Sequence, residues 1–91
     1  MSSQLSIPPE PSPGEKVRAF ILKNFYVANA SDLVDSASLL DGGIVDSTGI
    51  LEIIMFLEEE FKLKVADAEM IPANLDSVDN LAAYVRRKLG W

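Results

Sequence analysis

The chain has 91 residues, 14 acidic against 8 basic side chains, a net charge of −6, and neither cysteine nor histidine. That excludes disulfide staples, Cys/His zinc sites and any Ser-His or Cys-His nucleophile pair. It also argues against nucleic acid or an anionic membrane as partner, because both repel an acidic surface.

The size fits one domain, which buries roughly 60–65% of its unfolded surface, and a 48% hydrophobic fraction is enough for one apolar core. No apolar run reaches the roughly 18 residues of a membrane helix, and residues 1–7 lack the basic and apolar regions of a secretory signal. Residues 1–13 hold Pro8, Pro9, Pro11 and Pro13 among small polar residues. Proline removes amide donors and blocks helix, so residues 1–14 read as a disordered or extended tail ended by Gly14, and the domain as residues 15–91.

A first helix is expected from Glu15 to about Ala28, with Val17, Phe20, Ile21, Phe25 and Ala28 on one face. Residues 29–46 form a long connection. Its Leu33, Val34, Leu39, Leu40, Ile44 and Val45 are expected to pin it to the helices, and a helical turn is allowed near Ser31 to Asp35. A second helix spans about Ser47 to Phe61, capped by Asp46, with Ile50, Leu51, Ile54, Met55, Leu57 and Phe61 as its apolar stripe. Residues 62–65 alternate like a strand but have no partner, so they read as an extended connector. Pro72 limits any third helix to a short piece beginning at or after it. The last helix runs from Ser77 or Val78 to Leu89, with Ser77 as N-cap, Arg86, Arg87 and Lys88 in its final turn and Gly90 as its stop. Three long helices, one short helix and a long first loop make a small all-α four-helix bundle.

Charge is unevenly spread. No basic residue lies between Lys23 and Lys62, and that interval holds Asp32, Asp35, Asp41, Asp46, Glu52, Glu58, Glu59 and Glu60. An acidic run commonly serves only as a solvated face, but it also draws basic protein surfaces, with an effect that fades in salt. Asp32, Asp35 and Asp41 do not fit a calcium loop: with Gly42 in the glycine place, Thr48 falls where the bidentate glutamate belongs. Met55 and Met70 read as core filler. Tyr26, Tyr84 and Trp91 read as amphipathic packing rather than stacking surfaces.

Within this pattern Asp46-Ser47 stands out, an acid and a primary hydroxyl where the loop Leu39-Leu40-Asp41-Gly42-Gly43-Ile44-Val45 turns into an apolar helix. Alone, the pair is an ordinary helix start. With no general base nearby beyond Asp46, Ser47 is a better candidate for modification than for catalysis.

The run Leu-Leu-x-x-Gly-x-x-Asp-Ser and the acidic, apolar helix after it resemble the modification site of acyl carrier and peptidyl carrier proteins, over residues 15 to 90. The resemblance implies that Ser47 carries 4′-phosphopantetheine, transferred from coenzyme A by a separate phosphopantetheinyl transferase. Asp46 matches the aspartate that lies near the transferase's magnesium. The arm would hold an acyl or aminoacyl group as a thioester. It further implies that the chain is not an enzyme and that its second helix is the recognition helix. Ile44, Val45, Thr48, Leu51 and Glu52 match positions near the arm, and Glu52, Glu58 and Glu59 would help to dock basic partners. For Leu51 a core position is as good a reading as a contact.

Thr48 stands where many fatty-acid carriers have leucine, which implies a different transferase preference. Asp-Ser-Thr-Gly followed by Leu51-Glu52 resembles stand-alone carriers that serve amino-acid-activating ligases related to aminoacyl-tRNA synthetases. A discrete peptidyl carrier for nonribosomal biosynthesis and a specialised fatty-acyl or polyketide carrier remain open beside it. Expected partners are the transferase, an acyl- or amino-acid-activating ligase and downstream acyl-transfer enzymes. The expected location is cytoplasmic and the default state a monomer. The alternative is an acidic helical module that binds a partner without covalent cargo.

Overall fold

The computed structural model describes residues 12–90, so Trp91 and the proline-rich stretch up to residue 11 lie outside it. Four α-helices follow one another: α1 (Pro13–Asn24), α2 (Ser47–Phe61), α3 (Pro72–Leu75) and α4 (Val78–Leu89). Two 3₁₀ turns lie between them, at Ala30–Asp32 and Asp67–Glu69, and no strand occurs among the described residues. This is the expected all-α bundle, with residues 62–65 an extended connector.

The first helix is displaced from its expected bounds. It starts at Pro13 because Ser12-Pro13-Gly14-Glu15 is a capping box: the Glu15 amide donates to Ser12 Oγ (3.3 Å) and the Ser12 amide to Glu15 Oε1 (3.1 Å). Proline suits the first helical position, where its missing N–H costs nothing. The helix ends at Asn24 rather than Ala28, with Phe25 extended at φ −127°, ψ 151°. Phe25-Tyr26-Val27 is a run of weak helix formers, and the extended backbone brings the Phe25 ring against Gly49 of α2. Ala28 is therefore exposed, and Tyr26 is 87% exposed rather than packed.

The second helix has the expected bounds, but its buried face is turned. Ile53 and Leu57 are fully buried and Ile54 nearly so, whereas Leu51 is 57% and Met55 62% exposed. Leu51 and Met55 each stand two residues from Ile53, about 200° around the helix axis. Met70 is also exposed, so neither methionine fills the core. Lys62 ends α2 in the left-handed conformation (φ 56°).

Ser77 caps α4, its Oγ accepting from the Asn80 amide (3.0 Å), and Gly90 closes it at φ 76°. Helix α4 packs on α1 and α3 and buries Val78, Leu81, Ala82, Tyr84 and Val85. Phe20 of α1 stacks on Phe56 of α2, with ring centroids 4.2 Å apart. In the connection, Leu33, Leu39 and Val45 are buried and Ile44 is half-buried, while Val34 and Leu40 face out. Arg18 of α1 holds this loop: its guanidinium donates to the Leu33 carbonyl, to the Ala30 carbonyl (2.5 Å) and to Asp35 Oδ1 (2.7 Å).

Candidate functional site

Ser47 is the first residue of α2 and is exposed, and no hydrogen bond among the described residues ties up its hydroxyl. The amides of Ser47 and Thr48 open the helix and have no intrahelical acceptor. Asp46 supplies the cap. Its Oδ1 accepts from the Gly49 amide (2.7 Å), and its carbonyl accepts from the Ile50 amide (3.0 Å). The arrangement presents an unengaged hydroxyl at a capped helix start, the end where the peptide dipoles favour an anionic group.

The approach to Ser47 is built from the turn 38–45. The Leu39 carbonyl accepts from the amides of both Ile44 (3.1 Å) and Val45 (3.2 Å). Gly43 provides the left-handed residue (φ 71°) that the turn requires. Val45, only 3% exposed, anchors the end of the turn in the core. Asp76 grips its start: Ser38 Oγ (2.5 Å) and the Leu40 amide (3.0 Å) donate to the carboxylate, and the Leu39 amide donates to the Asp76 carbonyl (2.7 Å).

Beside Ser47 lies a half-open, largely apolar cavity of about 200 Å³, bounded by Leu40, Ile50, Met70, Ile71, Pro72 and Leu75, with Asp76 at its edge. The wall carrying Met70 to Leu75 is fastened to α4. Glu69 Oε1 accepts from the Ala66 amide (2.9 Å), Lys88 Nζ (3.0 Å) and Tyr84 Oη (2.9 Å). These donors, the amide first, hold the Glu69 carboxyl at about 2, below its ordinary 4.5. Burial and then the Glu69 carboxylate push the Tyr84 phenol upward. Asn74 adds a second tie, donating to the Glu69 carbonyl (2.9 Å) and accepting from Arg87 (2.8 Å).

The candidate docking residues do not all share a surface. Thr48, Leu51, Glu52 and Glu59 are exposed on α2. Val45 instead points into the core, and Glu58 is half-buried and occupied, accepting the Val65 amide (3.0 Å). Ser38, Asp76, Glu69 and Tyr84 frame the site, and Arg18 holds the loop that precedes it. The ties that join one element to another run between residues 12 to 38 positions apart, which no sequence periodicity reports. Among the described residues no group of carboxylates is arranged to hold a metal ion, and no helix is long and apolar enough to cross a membrane.

A scan against protein-family models finds no match. Among curated proteins, the chain is 31% identical over 75 residues to the acyl carrier protein of Thermotoga maritima, covering 82% of this chain and 89% of that one. It is 33% identical over 63 residues to the probable acyl carrier protein PigG of a Serratia species, covering 68% and 72%. It is 30% identical over 74 residues to the acyl carrier protein of Buchnera aphidicola, covering 81% and 90%.

Proposed function

The chain belongs to the acyl carrier protein family, and from that premise we propose that Ser47 Oγ is the attachment point of its arm. As a member of the family it is a carrier and not an enzyme, and its cofactor is covalent 4′-phosphopantetheine. That arm ends in a thiol, which holds an acyl group as a thioester. Its partners are transferase and synthetic enzymes.

In the proposed modification, Ser47 Oγ forms the bond to the phosphopantetheinyl phosphorus. The pyrophosphate linkage of coenzyme A breaks, adenosine bisphosphate leaves, and the hydroxyl proton passes to a base on the transferase. Asp46 is suited to a double role. One carboxylate oxygen caps α2 through the Gly49 amide, which leaves the other to face the transferase's magnesium. The observation that carries the assignment is the unengaged, exposed hydroxyl of Ser47 at the capped start of α2. The cavity at its side offers apolar surface to an arm leaving that point.

Docking is proposed to fall on exposed Thr48, Leu51, Glu52 and Glu59. The Asp46-Ser47-Thr48-Gly49 pattern supports a stand-alone carrier served by an amino-acid-activating ligase, and the location proposed for it is the cytoplasm. The proposed carrier domain takes in all of α1, so its boundary with the tail moves from residue 15 to Ser12.

The test is incubation with coenzyme A, magnesium and a broad-specificity phosphopantetheinyl transferase, read by intact mass. A gain of one phosphopantetheine, lost in Ser47→Ala, is expected. No gain with several transferases, or an unchanged gain in Ser47→Ala, overturns the assignment.

A further inference from the structure

Asp76 lies at the joint between α3 and α4, where the chain has little freedom. Its own amide donates to the Pro72 carbonyl (3.0 Å), and the next residue, Ser77, is the buried N-cap of α4. A carboxylate on such a joint is held by the bundle rather than by its own rotamers. From there it reaches 38 positions back along the chain to Ser38.

Each end of the grip is satisfied. Ser38 Oγ donates to Asp76 Oδ2 and accepts from the Asp41 amide (3.0 Å), while Asp76 Oδ1 accepts from the Leu40 amide. The Ser38 carbonyl accepts from the Gly42 amide (3.0 Å). The turn 38–45 is thus a closed hydrogen-bonded unit hung on residue 76, and it runs directly into Asp46 and Ser47. Asp76 and Leu40 also border the cavity beside Ser47, so the same bonds join its loop wall to its α3 wall.

We propose that Asp76 is a positioning residue for Ser47: through Ser38 and the Leu39–Leu40 amides it fixes the turn that presents the serine to its modifying enzyme. The proposal rests on Ser47 being the modified residue. Without the grip the turn samples other conformations, and only the fraction in the native one offers Ser47 to the transferase. Apparent affinity falls by that fraction, while the bound complex reacts as before. The signature is a raised KM for the carrier at unchanged kcat.

The experiment measures transferase kinetics with full-length Asp76→Ala, Asp76→Asn and Ser38→Ala, alongside Val85→Ala as a destabilised variant buried in α4 away from the turn. All are assayed well below their melting temperatures, and amide exchange is followed at Leu40, Ile44 and Val45. Losing these bonds is expected to raise KM about tenfold in Asp76→Ala and about threefold in Ser38→Ala, with faster exchange at the three amides. Asp76→Asn recovers most of the loss, because its amide can still accept from Leu40 and donate to Ser38. Val85→Ala leaves KM within about twofold of wild type. Should Asp76→Ala fail to fold, Ser38→Ala decides. An unchanged KM in the folded variants overturns the role of Asp76 while the wild-type mass gain still stands. A KM that tracks stability in Val85→Ala as well overturns it too.

Discussion

Gly49→Ala sets two effects of opposite sign against each other. In an exposed helix, alanine in place of glycine stabilises by about 1 kcal/mol. Here the added Cβ would lie 2.7 Å from Val45 Cγ1 and 2.8 Å from Phe25 Cε1, both well inside van der Waals contact. Neither neighbour yields cheaply. Val45 is β-branched, buried, and held by its amide on the Leu39 carbonyl. The Phe25 ring meets Phe20 edge-on, with centroids 6.2 Å apart. Overpacking of this kind costs about 1–3 kcal/mol, and with two contacts below 3 Å the upper half of that range applies. The net expectation is a loss of about 1–2 kcal/mol, which lowers Tm by roughly 5 °C or more in a domain of this size. Urea unfolding and thermal melts by circular dichroism measure both. In a cycle with Val45→Ala, which removes the nearer obstacle, the double variant should be more stable than the sum of the single losses by about 0.5 kcal/mol or more. A Gly49→Ala protein as stable as wild type, or strictly additive variants, would refute the steric account and leave the glycine unexplained.

Packing and charge each carry one further outcome. Ile53→Ala should cost about 2–5 kcal/mol and Leu51→Ala within about 0.5 kcal/mol, since one is fully buried and the other 57% exposed; comparable losses in urea unfolding would mean that the buried face of α2 is misplaced. Glu69 has its carboxyl lowered from 4.5 to about 2, so the folded state favours the charged form; its contribution is complete above about 4.5 and is lost as pH falls from there toward 2. Glu69→Gln should therefore flatten the decline in unfolding free energy between about pH 5 and about pH 3, and an unchanged slope would remove Glu69 from the account of acid sensitivity.

Local chemistry was readable in the residues themselves. Asp46 and Ser77 cap the helices they precede, Pro72 opens α3 and Gly90 closes α4, because each depends on hydrogen bonds or backbone angles within a turn. The phase of α2 was not readable. Ile50, Leu51, Ile53, Ile54, Met55, Phe56 and Leu57 put apolar side chains nearly all the way round, so periodicity leaves the buried direction open. What settles it is tertiary: α1 ends at Asn24, Phe25 turns in on Gly49, and Phe20 meets Phe56. Ser12-Pro13-Gly14-Glu15 is different in kind. Its capping box was present in the sequence, but the proline count around it favoured a tail.

The same division runs through the site. That Ser47 begins a capped helix with a free hydroxyl follows from Asp46 and the residues beside it. That the helix start is approached by a fixed turn does not, because the grip passes from Asp76 to Ser38 and the anchor from Val45 to the core. A carrier has reason to separate the two. On the proposed assignment Ser47 has to stay open to partner enzymes, and a neighbour bonded to its hydroxyl would compete with them. The backbone cap at Asp46 and the bonds within the turn are local, and the ties that hang the turn on the bundle come from contacts distant in sequence. On that proposal the unengaged Ser47 hydroxyl and the Asp76 carboxylate, bonded through both of its oxygens, answer a single requirement.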